Sequence, residues 1–187
     1  MKAVICREYG PPESLVFDDV DAPVPGPGQA VVRVRAAAVN YPDVLLLSGG
    51  YQVKVPPPFS PGSEFAGEVS AVGAGSQWHV GQRVSGSVMV GAFAEQVAVD
   101  DRALTPLPDG ADFGEAAAFG VTYRTAYFTL RTVAPVGPGD WVVVLGAAGG
   151  VGLAAVDLAV AMGARVIAAA STSEKLELCR KRGAEVL

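Results

Sequence analysis

A run of small residues follows a short apolar stretch in the segment "VVVLGAAGGVGLAAV", residues 142–156. Residues without large side chains let backbone N–H groups approach a pyrophosphate, and the positive N-terminal end of a following helix attracts the same anion. A tight turn where a helix packs closely on a sheet needs equally small residues. The segment alone therefore leaves two interpretations, a dinucleotide site and a purely structural turn.

The elements predicted around this loop favour the dinucleotide site. A buried strand is predicted from Trp141 to Leu145, a helix over residues 150–162, and a second strand in "RVIAAA". A glycine-rich loop between a strand and a helix, with another strand following, is typical of dinucleotide binding. Ala147 stands where the usual G-x-G-x-x-G pattern begins, and Gly149 and Gly152 fill the other two glycine positions. No Lys-Ser or Lys-Thr pair follows, which excludes a Walker loop.

The end of the second predicted strand indicates which dinucleotide is bound. In "AAASTSEKL" no acid occurs before Glu174, although an acid at this place usually binds the ribose 2′-hydroxyl of NAD. Ser171, Thr172 and Lys175 offer hydroxyl groups and a cation instead. A 2′-phosphate suits such a set, so the sequence favours NADP(H) over NAD(H). The alternative for Lys175 is a solvated residue in the first turn of a helix.

The pattern of elements predicts an α/β protein with two domains. Up to about residue 108, short strands such as "QAVVRVRAAAV" alternate with dense turns, which is typical of a compact β domain. One short helix is predicted in "NYPDVLLLSGG", with Pro42 in its first turn and Gly49 at its end. The later order strand, helix, strand, helix, strand predicts a doubly wound parallel sheet. The predicted domains are residues 1–117 and 118–187.

The region between the two domains is predicted to hold two helices. Asp112 and Glu115 predict a capped N-terminus for a short helix, and "TYRTAYFTLRTV" is predicted as a separate, longer one. Tyr123, Tyr127 and Leu130 recur at helical spacing in the longer helix and are expected in the core. The strand over residues 142–145 is apolar throughout, which predicts a strand covered on both faces.

Composition excludes several classes of function. The 187 residues carry a net charge of −5, and no stripe of Lys and Arg indicates nucleic-acid binding. The two cysteines lie in unrelated surroundings, which predicts a reduced, intracellular chain. The most apolar stretch, residues 141–170, is interrupted by glycines, Asp157 and Arg165, so no membrane span is predicted. We therefore expect a cytoplasmic protein.

Seven successive blocks of the chain resemble a known family. In order they are "VNYPDVLLLSGGY", "PGSEFAGEVSAVG", "VGQRVSG", "GAFAEQVAV", "LPDGADFGEAAAF", "VTYRTAY" and "GAAGGVGLAAV". They resemble the medium-chain dehydrogenase/reductase superfamily, and specifically its zinc-independent quinone oxidoreductase (zeta-crystallin-like) branch. The resemblance implies a GroES-like β-barrel domain followed by an incomplete Rossmann domain, with the active site in the cleft between them.

The resemblance also implies a reaction and a set of site residues. The implied reaction transfers a hydride from NADPH to a quinone or a similar conjugated carbonyl acceptor. Tyr51 is expected to reach out from the flexible turn before it, as a hydrogen-bond donor or a stacking platform. The structural alternatives are that Asn40 holds a turn and that Asp43 caps the short helix. The implied catalytic residues are Asn40, Asp43 and Tyr51, and the implied cofactor-binding residues are Thr122, Ala148, Gly149, Gly150, Val151, Gly152, Ser171 and Lys175.

The chain departs from the zinc-dependent branch of this superfamily. That branch has a Cys near the position of Asn40 and a His where Ser63 stands, and its four-cysteine lobe is missing here. With two cysteines and one histidine, His79, no zinc site is expected within the chain. Asp157 is a further departure, since the quinone oxidoreductase branch tends to have Gln there, and the sequence offers no mechanistic interpretation of it.

Two other functions stay open at this point. One is an enoyl reductase acting on thioesters or other activated alkenes, and the other is a non-catalytic, crystallin-like protein that binds NADPH. The expected partner is a small molecule, and the full-length parent is expected to be a homodimer. The chain supplies only strands 1, 2 and the start of 3 of a doubly wound sheet. We therefore expect an N-terminal fragment that by itself binds NADPH weakly and turns over poorly.

Overall fold

The computed structural model describes residues 1–186, and the chain divides into two compact units, Met1–Gly120 and Val121–Leu187. Each unit has its own buried apolar core. The domain boundary expected after residue 117 stays a prediction. Within residues 1–186, no helix is both long and apolar enough to cross a membrane.

The first unit is built on a five-stranded antiparallel sheet. The strands of this unit are β1 (Lys2–Ile5), β2 (Val16–Asp19), β3 (Gln29–Ala38), β4 (Glu64–Val72), β5 (Arg83–Ser87), β6 (Gln96–Asp100) and β7 (Leu104–Pro106). In the five-stranded sheet the strand order is β6-β3-β4-β5-β7, and β1 and β2 form a separate antiparallel pair. The strand predicted in "QAVVRVRAAAV" is present as β3, in which Val32 is buried and Arg33 is exposed.

One short helix, α1 (Tyr41–Leu47), follows β3 and confirms the helix predicted there. Pro42 lies in its first turn, where the missing N–H has no helical partner to lose. Gly49 ends the helix region with a φ of +65°, a conformation that side chains disfavour. Leu46 and Leu47 are buried and anchor the helix in an apolar cluster that also holds Cys6 and Phe59.

The second unit begins a doubly wound parallel fold, as predicted. Its strands β8 (Trp141–Leu145), β9 (Arg165–Ala169) and β10 (Glu185–Val186) pair in parallel in the order β10-β9-β8. The helices α3 (Gly150–Ala161) and α4 (Ser173–Lys181) connect them. Leu187, the last residue of the predicted third strand, lies outside the described residues.

The prediction of two helices between the domains is wrong. One helix, α2 (Phe113–Phe128), covers both segments and passes into a π-helical turn, Thr129–Val133. Gly120 does not break it, because a helix-interior glycine costs only about 1 kcal/mol and the tertiary context can override it. The predicted cap at the N-terminus is present, since Asp112 Oδ1 accepts a hydrogen bond from the Glu115 N–H at 3.0 Å.

Two burial predictions in the second unit are also wrong. Tyr127 is 53% exposed rather than in the core, although Leu130 is buried as expected. Trp141, Val143 and Leu145 of β8 are exposed as well. The alternate residue Val144 packs into the core with residues of α3, so only one face of β8 is covered among residues 1–186.

Candidate cofactor and substrate sites

The loop after β8 forms a turn that ends at the N-terminus of α3. Gly146 adopts a φ of +62°, and the Gly149 N–H donates to the Gly146 carbonyl at 2.9 Å. Gly150, Val151 and Gly152 then form the first turn of α3, where helix geometry leaves N–H groups without intrahelical acceptors. These N–H groups and the helix dipole make this end of α3 suited to an anion.

The glycines in this loop differ in how much space they leave. A Cβ atom at Gly152 would lie 2.4 Å from the Gly146 carbonyl oxygen and 2.9 Å from the Ala147 Cα. Both neighbours are backbone atoms and cannot rotate away. At Gly149 the nearest atom would be the same Gly146 oxygen at 3.3 Å, a tight but less severe approach. The absence of a side chain at Gly152 therefore allows α3 to pack on the loop. A side chain at Gly149 would meet less steric hindrance.

Thr122 of α2 lies beside the first turn of α3. A Cβ atom at Gly150 would be 3.0 Å from the Thr122 Cγ2 atom. The structure thus brings the predicted cofactor residue Thr122 next to the predicted phosphate-binding loop, although the two are far apart in sequence.

Asp157 ties together three helical segments of the second unit. Its Oδ2 atom accepts a hydrogen bond from the Tyr123 hydroxyl at 2.5 Å and one from Arg182 Nη1 at 2.7 Å. The hydrogen bond to Asp157 is the main reason that the pKa of Tyr123 is raised, with burial adding to it. Asp157, which had no interpretation from the sequence, therefore links α2 and α3 to the end of α4.

A cavity of about 590 Å³ opens beside the glycine loop. Lys175 Nζ donates to Ser171 Oγ at 3.1 Å, and both residues line the cavity. The hydroxyl group, the ammonium group and the adjacent N-terminus of α3 form a set of donors that fits a phosphorylated dinucleotide. The lining residues are Gly146, Ala148, Gly149, Ala169, Ala170, Ser171 and Lys175, of which four belong to the predicted cofactor set.

In the first unit, Asn40 and Asp43 meet at the N-terminus of α1. The Asn40 backbone N–H donates to Asp43 Oδ2 at 2.7 Å, so Asp43 does cap the helix. Asp43 is only 1% exposed, and burial raises the pKa of its carboxyl group. Hydrogen bonds from the Asn40 backbone and the Ser63 side chain act in the opposite direction and lower this pKa.

Glu64 is a site residue that the sequence reasoning missed. The Asn40 side chain donates from Nδ2 to Glu64 Oε2 at 3.0 Å, and Glu64 is only 2% exposed at the start of β4. A carboxylate can only accept, so this contact directs the amide nitrogen of Asn40 toward Glu64. The signal for Glu64 in the sequence is the Gly-Ser-Glu triplet, in which Ser63 stands where the zinc-dependent branch has a histidine.

Tyr51 differs from its expected orientation. Its ring is partly buried against the apolar cluster that contains Leu46 and Leu47, rather than extending from the turn. The apolar body of a tyrosine gains free energy by this packing. The turn itself is present, because the N–H groups of Gly50 and Tyr51 both donate to the Leu45 carbonyl, at 2.8 and 3.1 Å. A catalytic role for Tyr51 stays a prediction.

The titratable side chains of residues 1–186 form no group of three or more His, Cys, Asp or Glu that could hold a metal ion. His79 lies exposed in a turn, where its N–H donates to Gln82 Oε1 at 2.6 Å. Cys6 and Cys179 are both buried as free thiols.

Comparison with known proteins gives matches along the whole chain. Residues 26–109 match the family model of the alcohol dehydrogenase GroES-like domain, and residues 150–187 match that of the zinc-binding dehydrogenases. A quinone oxidoreductase from Pongo abelii is 40% identical in an alignment of 187 positions that covers 98% of this chain and 57% of that protein.

A solved structure and a larger protein add to this finding. The quinone oxidoreductase of Thermus thermophilus, also solved in complex with NADPH, superposes with a TM-score of 0.89 at 42% identity. That match covers 100% of this chain and 59% of the other. A mycocerosic acid synthase-like polyketide synthase of Mycobacterium tuberculosis is 39% identical over 180 residues, which are 96% of this chain and 8% of the synthase. The chain thus spans less than two thirds of each of these proteins.

Proposed function

We propose that the chain belongs to the medium-chain dehydrogenase/reductase family and that it serves an NADPH-dependent reduction of a quinone or similar conjugated carbonyl compound. The observation that carries the proposal is the Lys175–Ser171 pair, which lines the same cavity as the glycine loop. Because the chain spans only 57% of the Pongo relative, the activity of the whole protein is part of this proposal.

We assign the pyrophosphate and the 2′-phosphate of NADPH to different parts of this cavity. The N–H groups in the first turn of α3 bind the pyrophosphate, and Gly149 lets it approach the backbone. Lys175 and Ser171 bind the 2′-phosphate through a charge-assisted hydrogen bond and a hydroxyl donor. None of the cavity-lining residues within 1–186 is acidic, so no carboxylate among them repels the 2′-phosphate.

When bound, NADPH supplies the hydride for the reduction. The protein's part is to stabilise negative charge that develops on the acceptor oxygen. We propose Asn40 for this role, because its side-chain amide has two N–H groups and only one of them is required by Glu64. Asp43 is proposed to hold Asn40 in place for this role, because its Oδ2 atom accepts a hydrogen bond from the Asn40 backbone N–H at 2.7 Å. Tyr51 is proposed to contact the acceptor through the exposed part of its ring.

The second candidate is an enoyl reductase, favoured by the match to a segment of a polyketide synthase. Both candidates are tested by following NADPH oxidation by the full-length protein, with ortho-quinones, para-quinones, enals and enoyl thioesters as acceptors. Turnover of quinones supports the first proposal, and turnover of enoyl thioesters alone supports the second. Tight NADPH binding without turnover of any acceptor contradicts both and favours a non-catalytic, crystallin-like role.

We further propose that the reaction needs no zinc, since Asn40 and Ser63 occupy the positions of a Cys and a His in the zinc-dependent branch. Dialysis against a chelator should leave folding and NADPH oxidation unchanged. Stoichiometric zinc in the washed protein, lost together with activity, contradicts this proposal. A homodimer and a cytoplasmic location stay predictions, and light scattering tests the first.

A further inference from the structure

The N-terminal segment over residues 6–10 runs alongside the loop that carries Tyr51. We call residues 48–55 the Tyr51 loop. Cys6 and Phe59 exchange two backbone hydrogen bonds, at 2.8 and 3.1 Å, just beyond the end of the loop. The Gly10 N–H donates to the Leu47 carbonyl at 2.9 Å, just before its start. The segment is therefore tied to the chain on both sides of the Tyr51 loop.

Within this segment, Tyr9 contacts both ends of the loop with one side chain. A Cβ atom at Gly49 would lie 3.2 Å from the Tyr9 Cγ atom, so the ring packs directly on Gly49. The Tyr9 hydroxyl donates to the Val55 carbonyl at 2.9 Å. Tyr9 thus spans the loop from its second residue to its last.

Two further contacts restrain the second half of the loop: Lys54 Nζ donates to the Gly49 carbonyl, and Val55 packs against the apolar cluster that contains Phe59. The N–H groups of Gly50 and Tyr51 are bound to Leu45, which fixes the first half against α1. Among residues 1–186, no backbone hydrogen bond is seen from the N–H groups of residues 52–55. Tyr9 is 43% exposed, so the core does not depend on its ring. The hydroxyl contact to Val55 is therefore suited to restraining the loop and contributes little to the core.

We propose that Tyr9 is a positioning residue that closes the Tyr51 loop and so sets the affinity for the acceptor. The inference rests on the proposed function, in which Tyr51 contacts the acceptor. Tyr9 acts through its contacts to Gly49 and Val55. By fixing both ends of the loop, it keeps the Tyr51 ring against the apolar cluster, and the acceptor then does not have to order the loop on binding.

The test is Tyr9→Phe in the full-length protein, which keeps the ring on Gly49 and removes the hydroxyl. Hydrogen exchange of the hydrogen-bonded amides of this loop, those of residues 48–51, should become about 2- to 10-fold faster, the range expected for one neutral hydrogen bond. The KM for a quinone acceptor should rise by a similar factor, while kcat and NADPH affinity stay unchanged. Tyr127→Phe, at an exposed tyrosine of the other unit, is the matched control and should change none of these quantities.

A second pair of variants tests the ring contact. Gly49→Ala adds a Cβ against the Tyr9 ring at a φ of +65°, so it should loosen the loop through both contact and strain. In a Tyr9→Ala background, Gly49→Ala should speed hydrogen exchange in the Tyr51 loop by a smaller factor, because only the backbone strain at Gly49 remains. If Gly49→Ala speeds exchange by the same factor in both backgrounds, the inference is overturned. Unchanged exchange in Tyr9→Phe also overturns it.

The outcomes also separate this inference from the proposed function. If the wild-type protein reduces no acceptor, the proposed function fails, and exchange in the Tyr51 loop still decides whether Tyr9 restrains it. If the wild-type protein is active and Tyr9→Phe speeds exchange without raising the KM, the role in acceptor affinity is wrong. The proposed function then stands on its own.

Discussion

The two units present their candidate sites through different kinds of chemical groups. In the second unit the site is mostly backbone, because the turn at Gly146 and the first turn of α3 lie within seven residues, 146–152. In the first unit the site is made of side chains, and the contact between Asn40 and Glu64 joins residues 24 positions apart. A site made of local backbone leaves a pattern in the sequence, whereas a site made of distant side-chain contacts does not.

The largest expected effect on the free energy of unfolding is that of Gly152→Ala, in the backbone site formed by residues 146–152. Because the added Cβ would lie 2.4 Å from a carbonyl oxygen, the loop or α3 must move. We expect a loss of about 1–3 kcal/mol in the free energy of unfolding, the usual cost of overpacking. Chemical denaturation measures this loss.

Gly149→Ala is the matched control, since its Cβ would meet the same oxygen at 3.3 Å and its φ of −76° suits any residue. It should weaken NADPH binding more than it lowers stability. If Gly149→Ala destabilises the protein as much as Gly152→Ala, the steric distinction between the two glycines is wrong.

The next expected effect on the free energy of unfolding is that of Glu64→Gln, in the side-chain site formed by Asn40 and Glu64. The substitution keeps the shape of a buried residue and weakens the hydrogen bond that it accepts from Asn40. We expect a loss of about 1–3 kcal/mol in the free energy of unfolding, as for a buried hydrogen bond to a charged group. Denaturant unfolding monitored in the first unit measures it.

Glu68→Gln, on the same strand, is the control. Glu68 pairs with Arg35 at the surface, and such a pair contributes about 0–1 kcal/mol. Equal losses of stability in Glu64→Gln and Glu68→Gln would show that the buried contact of Glu64 with Asn40 stabilises the protein no more than a surface ion pair does.

This difference explains what could be predicted from the sequence. Local patterns predicted β3, α1 and the strand, loop and helix around Gly149, because their signals lie within a few residues. The continuous α2 was missed, since Gly120 looks like a break and only the tertiary context shows that the helix continues. Glu64 was missed because nothing near it in sequence shows that Asn40 will face it. The packing of Tyr51 on the apolar cluster likewise depends on tertiary contacts, because that cluster includes Cys6 from the start of the chain.

The smallest expected effect is a change of stability with pH in Asp43→Asn. Burial raises the pKa of Asp43 above its ordinary value of about 3.9, so the unfolded chain releases this proton at lower pH than the folded protein. The contribution of Asp43 to stability is therefore complete below that value and is lost as the pH rises through the folded pKa. Relative to the wild type, Asp43→Asn should gain stability between acidic and neutral pH.

Thermal unfolding at a series of pH values measures this change. Asp109→Asn, at an exposed aspartate, should show no such trend. A wild-type protein that gains stability relative to Asp43→Asn as the pH rises contradicts the direction of the pKa shift.

The central claim is that the cavity beside the glycine loop selects NADPH through Lys175. The most direct test is to titrate the wild type, Lys175→Ala and the control Lys181→Gln with NADPH and with NADH. Lys181 lies at the far end of the same helix. We predict that Lys175→Ala weakens NADPH binding by about 1–3 kcal/mol, roughly 5- to 150-fold, and leaves NADH binding and the control nearly unchanged. An equal loss for both cofactors, or none for NADPH, contradicts the account.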